Sequence, residues 1–120
     1  MSAFHTILSR LVEEDDAAGA IFVDDSGETV DLATPESAEQ MRLLGAYAGI
    51  YLRQAQRFCS AEGMDDVRSV EIGCQGLQLH AMLLREGYSL IVAHRQPTVT
   101  AVSRRRMQLA ARDIEQEAFA

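Results

Sequence analysis

Residues 71–95 read EIGCQGLQLHAMLLREGYSLIVAHR, and this stretch decides the fold of the chain. Residues 67–95, which add four residues before this stretch, contain three strand-like runs: Val67 to Cys74, Leu77 to Leu84 and Tyr88 to His94. The dipeptides Gln-Gly and Glu-Gly separate these runs and are short enough to form hairpin turns. Both faces of the last two runs are largely apolar, which is typical of central strands. The stretch therefore predicts three consecutive strands, two of them covered on both faces.

The residues upstream of this stretch predict a helix followed by a hairpin. Residues 3 to 15 place apolar side chains at helical spacing, and Ser2 is available as the cap. Two short strands, Ala18 to Val23 and Thr29 to Ala33, flank the turn sequence DDSGE, whose glycine suits a left-handed turn position. The apolar stripe of the helix comprises Phe4, Ile7, Leu8, Leu11 and Val12.

A long helix is predicted between the hairpin and the last three strands. Thr34-Pro35-Glu36 has the cap, the first-turn proline and the early acid of a helix start, and the helix is expected to end near Ala61. One apolar stripe would cover the sheet; it comprises Met41, Leu44, Ala48, Tyr51, Leu52, Ala55, Phe58 and Cys59. A shorter patch on the opposite side comprises Leu43, Ala46, Tyr47 and Ile50, edged by Gln54 and Arg57. Because a helix that is apolar on two sides needs a cover on each, we expect a second copy of the protein to cover the shorter patch.

The chain closes with a third helix, predicted from about Thr98 to the C-terminus. The element order is then helix, strand, strand, helix, strand, strand, strand, helix. A chain of 120 residues can bury one core and is too short for two. We therefore expect a single domain over residues 1–120 with an α+β fold.

The basic residues of the chain are all arginine. It has 11 arginines, no lysine and 18 acidic residues, which gives a net charge of −7. Phosphate-binding loops, protein kinases and Schiff-base enzymes need a lysine, so these classes are excluded. The acidic balance argues against nucleic-acid binding. Residues 1–40 carry ten acids against one arginine, a net charge of −9, so we expect a charged partner to be oriented by this region.

The hydropathy pattern predicts a soluble, cytoplasmic protein. The longest apolar run, Leu43 to Leu52, has ten residues, about half of the roughly 20 needed to cross a bilayer. The two cysteines, Cys59 and Cys74, are too few for a disulfide scaffold, and no signal-peptide pattern opens the chain. We expect no membrane insertion and a reducing compartment.

No group of residues has the spacing of a catalytic or metal site. The histidines lack the close spacing that a zinc site needs, and the acidic pairs near the first turn lack the alternating ligands of a calcium loop. A nucleophile and base built from Cys74 or Cys59 with His80 is one hypothesis, but a buried structural role is favoured for these residues. The basic run at 104–106 spreads around a helix and favours a solvated face. The sequence therefore predicts no catalytic residues, metal or cofactor.

The element order and several stretches resemble the Roadblock/dynein light chain family, including its bacterial MglB-type members. The matching stretches are AGAIFVDDSGETVDLA for the first hairpin, MRLLGAYAGIYLRQAQRF for the long helix, residues 71–95 for the last strands, and the terminal helix. The resemblance implies a five-stranded antiparallel sheet sandwiched between helices. The long helix would cover one face and the two terminal helices the other.

The same resemblance implies a function and an interface. Two copies would form a homodimer through the long helix and the third strand, and the dimer would be a non-enzymatic regulator of a small Ras-like GTPase or a scaffold in a larger complex. The dimer contacts would fall on Leu43, Ala46, Tyr47, Ile50, Gln54, Val70 and Ile72. The alternative is a small-molecule sensor on a similar frame, with the shorter apolar patch facing a ligand.

Overall fold

The structure is a computed structural model that describes residues 2–64, 67–95 and 99–120. Its three helices and five strands follow the predicted order. The helices are α1 (Ala3–Asp15), α2 (Ala38–Ala61) and α3 (Ala101–Phe119). The strands are β1 (Gly19–Val23), β2 (Thr29–Ala33), β3 (Ser69–Cys74), β4 (Leu77–Leu83) and β5 (Ser89–His94), with a single 3₁₀ turn at Arg85–Gly87. The predicted α+β class and element order are confirmed.

The five strands form one antiparallel sheet in the spatial order β2-β1-β5-β4-β3. The first hairpin joins the sheet where β1 pairs with β5, with Ile21 opposite Ile91. This pairing places β1, β5 and β4 in the interior, which explains why all five residues of β1 and all six of β5 are buried. β2 and β3 are the edge strands.

Two separate cores lie on the two faces of the sheet. α1 and α3 cover one face, where Leu8, Phe22 and Ile114 are almost completely buried. α2 covers the other face, where Ile21 and Leu52 are buried. Alternate residues of each central strand supply the two cores, as expected for strands covered on both sides. The sheet is therefore sandwiched between helices as the family resemblance implied.

α2 begins three residues later than the sequence predicted. Ser37, and not Thr34, is the cap, because the Ser37 hydroxyl accepts a hydrogen bond from the Gln40 N–H at 3.2 Å. The Thr34 hydroxyl instead donates to the Ala18 carbonyl at 2.7 Å and ties the end of β2 to the start of β1. The predicted start of α3 at Thr98 lies outside the described residues; within them, the Thr100 side chain caps the helix.

α2 approaches the sheet closely through a glycine. A Cβ at Gly45 would lie 3.1 Å from Cγ2 of Ile21, which is closer than an ordinary van der Waals contact. Gly49, one turn further along, is also buried. The absence of a side chain at Gly45 lets the backbone of α2 lie against β1. The close approach fixes which side of α2 faces the sheet.

Candidate functional site

The side of α2 that faces away from the sheet carries an exposed apolar surface. Five large apolar side chains there are between 41% and 61% exposed, although the same helix buries Met41, Ala48 and Leu52 on its opposite side. We call this surface the outer face of α2; it comprises Leu43, Tyr47, Ile50, Tyr51 and Phe58. Contiguous apolar surface of this kind marks a site of interaction with another molecule.

The predicted contact residues of α2 lie largely on this outer face. Leu43, Tyr47, Ile50 and Gln54 are exposed, whereas Ala46 is half-buried at the edge of the face. The role of these residues in a dimer stays a prediction. Their common position shows that the helical phase of the shorter patch was read correctly from the sequence.

The predicted contact residues of β3 lie at the edge of the sheet. Val70 and Ile72 are half-buried and pack with the core beneath α2, so their side chains point to the same layer as that helix. β3 pairs with β4 on one side and has no strand on the other among the described residues. An unpaired edge offers its backbone N–H and C=O groups to another strand. Among the described residues, the edge of β3 therefore presents backbone groups without a partner strand beside apolar side chains that pack beneath α2, whereas the outer face of α2 points away from the sheet.

Two residues of the outer face were assigned to the wrong side of the helix by sequence reasoning. Tyr51 and Phe58 were placed in the stripe that covers the sheet, but they are 51% and 61% exposed. The positions nearest the sheet are Met41 and Leu52, which the predicted stripe included, and Gly45, which it did not, together with the residues between them on the same side. Glycine has no apolar side chain, so Gly45 and Gly49 do not contribute to an apolar pattern. The centre of the buried side could therefore not be located from that pattern.

The three candidate groups for nucleophilic chemistry are not brought together. His80 lies opposite Glu71 in the β3–β4 ladder, so it points to the face covered by α1 and α3. Cys74 is three positions beyond Glu71 and therefore points to the other face, and Cys59 lies on α2. The expectation that both cysteines are buried was wrong, because Cys74 is exposed and Cys59 is half-buried. The geometry separates the thiols from the imidazole.

Two histidines are buried beneath α3. His80 and His94 are each 3% exposed, and His80 Nδ1 and His94 Nε2 have no hydrogen-bond partner among the described residues. Burial lowers the pKa of His80, against an opposing effect of Glu71. Burial also lowers the pKa of His94, and there the nearby Asp15 acts in the opposite direction. Both imidazoles are therefore held neutral at pH 7.

Three of the four acidic residues considered as metal ligands, Asp15, Asp16 and Asp24, have structural partners, and the fourth, Asp25, is exposed. Asp15 and Asp16 receive hydrogen bonds from Arg106 and Arg95 respectively. Asp24 closes the β1–β2 turn, and hydrogen bonds from the hydroxyl of Ser26 and from nearby backbone N–H groups lower its pKa. Within the described ranges, no three His, Cys, Asp or Glu side chains are grouped so that they could hold a metal ion.

The arginine run near the start of α3 divides among three different environments. Arg104 binds both carboxylate oxygens of Glu71 at 2.8 and 2.9 Å, and Arg106 pairs with Asp15 and Glu14. Arg105 is exposed. The three guanidinium groups do not form one basic patch.

No helix in the described part of the chain is both long enough and apolar enough to cross a membrane.

Comparisons with known proteins identify the fold. No protein-family model matches the chain, and no curated protein matches it. Solved structures do match over nearly the whole chain. A Roadblock/LC7 domain from Streptomyces avermitilis is 16% identical with a TM-score of 0.87, covering 99% of this chain and 100% of that one.

Two MglB structures are similar to a comparable extent. Myxococcus xanthus MglB is 14% identical with a TM-score of 0.85, covering 98% of this chain and 95% of that one. A structure described as MglB with a tetrameric arrangement is 13% identical with a TM-score of 0.83, covering 98% of this chain and 92% of that one. At such identities the likeness establishes the fold. The chain has the Roadblock fold, in the form seen in MglB.

Proposed function

We propose that this protein is a non-enzymatic homodimeric regulator or scaffold that acts on a small Ras-like GTPase. The observation that carries the proposal is the outer face of α2, five large exposed apolar side chains on a fold shared with MglB. The proposal treats residues 1–120 as a single domain of a bacterial cytoplasmic protein. It requires no cofactor and no catalytic residue.

The dimer is proposed to form through the outer face of α2 and the edge of β3. A two-fold axis brings the same surface of each copy together, so an apolar helix face can cover itself. The proposed interface comprises Leu43, Ala46, Tyr47, Ile50, Gln54, Val70 and Ile72, to which the structure adds Tyr51 and Phe58 as exposed neighbours. Aromatic side chains such as these are enriched in the centres of protein interfaces. One structure of the same fold is described as MglB with a tetrameric arrangement, and this supports testing self-association first.

The regulatory step is proposed to be a difference in affinity for two states of the GTPase. A protein that binds one nucleotide state more tightly shifts its partner toward that state, with no chemistry of its own. Since the chain has no lysine, it cannot hold a nucleotide in a phosphate-binding loop, and any nucleotide must arrive with the partner. The fold that this chain shares with MglB supports a small GTPase as the first partner to test.

The test is affinity capture from the native cell, followed by reconstitution with the captured GTPase. We expect a Ras-like GTPase to be recovered, and we expect the purified GTPase to bind at least about tenfold more tightly in one nucleotide state, a difference of roughly 1.4 kcal/mol. Equal affinity for both states would leave a tethering role only. Recovery of neither a GTPase nor a larger assembly would contradict the proposal.

The sensor alternative would need a ligand site at a different place from the one that the sequence suggested. A sensor was expected to turn the shorter apolar patch of the long helix toward a ligand, but that patch is on the outside of α2. A separate cavity lies beside the C-terminal half of the same helix, and its lining carries both charged and apolar groups.

A further inference from the structure

We propose that the start of α3 is a pH-sensitive strap, which detaches from the sheet when the two histidines buried beneath it gain protons. The strap comprises residues 101–106, and the histidines are His80 on β4 and His94 on β5. Acidification is expected to open the strap while the rest of α3 stays packed. The inference does not rest on the proposed function, because it uses no residue of the outer face of α2.

The strap differs from the rest of α3 in the way it is attached. None of its six residues is buried, and Val102 is 58% exposed. The helix beyond the strap is anchored by four buried apolar side chains, Met107, Ala110, Ala111 and Ile114. Segments with few buried apolar contacts open more readily than the packed core. The strap is therefore the part of α3 that can open by itself.

Two arginines tie the strap to the body of the protein. Arg104 donates to the two carboxylate oxygens of Glu71 on β3 at 2.9 and 2.8 Å. Arg106 pairs with Asp15 and Glu14 at the end of α1. Arg105, between them, makes no ion pair in the part of the chain that the structure describes. The attachment of the strap thus depends on the charges around Arg104 and Arg106.

The two histidines lie between these ion pairs. His80 is directly opposite Glu71 in the β3–β4 ladder. His94 is opposite Gln78, two positions from His80, so both imidazoles point to the same face of the sheet. Burial lowers the pKa of His94, and the charge of Asp15 opposes that effect. A row of ionisable side chains therefore runs beneath the strap from β3 to the end of α1.

A proton on either imidazole weakens the attachment of the strap. An imidazolium donates from both ring nitrogens, yet His80 Nδ1 and His94 Nε2 are buried and have no acceptor among the described residues. Burial is the main cause of the lowered pKa of His80; Glu71 opposes it, and the charges of His94 and Arg104 add to it. The repulsion acts in both directions, so a charged His80 repels Arg104 and competes with it for Glu71.

The linkage between protons and the strap favours opening in acid. With the strap closed, the pKa of both histidines lies below the ordinary value of 6.5. Once the strap opens, water reaches the imidazoles and that value is restored. The open form therefore binds more protons below pH 6.5, and the open fraction grows as the pH falls until the pKa of the closed form is reached.

Amide hydrogen exchange of the full chain, measured by NMR, tests the strap. We expect the protection factors of residues 104–106 to fall at least about tenfold from about pH 7.5 to about pH 5, because opening is linked to two protons. We also expect them to be at least about tenfold lower than those of residues 110–114 at both pH values, because the strap opens without the rest of the helix.

Substitutions assign the response to the histidines and to the ion pairs. The double variant His80→Gln, His94→Gln keeps both ion pairs, so its strap should be protected equally, within about twofold, at the two pH values. Arg104→Gln removes one ion pair and is expected to lower strap protection about two- to fivefold at about pH 7.5. Arg105→Gln is the matched control and should leave strap protection unchanged, because Arg105 is exposed and unpaired within the described ranges.

Any of four results overturns the proposal. Strap protection that does not fall in acid removes the pH response, and equal protection of residues 104–106 and 110–114 shows that only the whole helix opens. A double variant that responds like the wild type assigns the response to other groups. Equal effects of Arg104→Gln and Arg105→Gln remove the role of the ion pair. If the double variant does not fold, the single variants His80→Gln and His94→Gln decide, since each should respond less steeply than the wild type and an unchanged response in both overturns the proposal.

Discussion

Three ionisable side chains, Asp15, His80 and His94, are buried beneath α3. The side chain of Asp15 is only 1% exposed, and Arg106 is its ion-pair partner. Next to them the two histidines are buried without a charge of their own. A buried carboxylate is tolerated when a cation binds it, and a buried imidazole when it stays neutral. The stability of this layer therefore depends on one ion pair and on two protonation states.

Removal of the Arg106 side chain tests the ion pair. Arg106→Gln leaves the carboxylate of Asp15 buried without its cation, and we expect a loss of about 3 kcal/mol in the free energy of unfolding. Arg105→Gln is the matched control, because Arg105 is the exposed neighbour and should change stability by less than about 0.5 kcal/mol. Urea unfolding of both variants measures the difference. Equal stability of the two would show that Asp15 is not dependent on Arg106.

Acidification tests the buried histidines. Burial lowers the pKa of His80 and His94 below the unfolded value of 6.5, so the unfolded chain binds protons first as the pH falls. The contribution of the two neutral histidines to the free energy of unfolding is fully present well above pH 6.5. It decreases as the pH falls below 6.5, by up to about 1.4 kcal/mol per pH unit for each histidine, until the pKa of that histidine in the folded protein is reached. Unfolding measured against pH for the wild type and for the double variant His80→Gln, His94→Gln reports this slope. A slope that persists in the double variant just below pH 6.5 would contradict the assignment.

At the scale of the elements, the sheet was predictable and the orientation of α2 only in part. Glycine turns delimit the strands on both sides of Leu77 to Leu83, so β3, β4 and β5 were predicted to within two residues of their observed ends. α2 is apolar around most of its circumference, so hydropathy alone placed Met41, Ala48 and Leu52 against the sheet correctly but could not set the limits of that buried sector. The contact of Gly45 with Ile21 decides it, and this contact is a property of the packed layers. The same limit hid Tyr51 and Phe58 from the predicted interface.

The start of α2 illustrates a second limit at this scale. Thr34 and Ser37 are both good caps, and the sequence favoured Thr34 because Pro35 follows it. In the structure the hydroxyl of Thr34 is already used by the carbonyl of Ala18. A tertiary hydrogen bond between two strands therefore moved the helix start by one turn.

The cap of α2 gives a direct stability prediction. Ser37→Ala removes the acceptor for the Gln40 N–H, and we expect a loss of about 1 kcal/mol in the free energy of unfolding. Ser60→Ala is the control on the same helix, since its hydroxyl makes no hydrogen bond within the described ranges, and it should be neutral or slightly stabilising. A chemical denaturation curve for each variant suffices. The cap assignment fails if both substitutions have the same effect.

The outer face of α2 gives a prediction about assembly. Ile50→Glu places a charge within the proposed interface, where it would be buried without a partner, so we expect the dimer to dissociate while each copy stays folded. Leu109→Glu is the matched control, because Leu109 on α3 is 41% exposed, the same fraction as Ile50. Size-exclusion chromatography and circular dichroism separate dissociation from unfolding. Dissociation by both substitutions, or by neither, would remove the outer face of α2 from the interface.

At the scale of the whole molecule, the folded structure reduces the charge asymmetry seen along the chain. Arg95 binds Asp16 and Glu36, and Arg106 binds Asp15 and Glu14, so four of the ten acids in residues 1–40 are paired with arginines from the C-terminal part. The acids that remain include those of the β1–β2 turn. The sequence showed the imbalance, but only the fold could show which charges neutralise each other.

The central claim is that two copies of this protein associate through the outer face of α2, and its mass in solution tests that claim most directly. Light scattering at micromolar concentration should give twice the 13.2 kDa of one chain. A mass of 13.2 kDa at the same concentration would contradict the claim, because the five exposed apolar side chains of that face would then have no second copy to cover them.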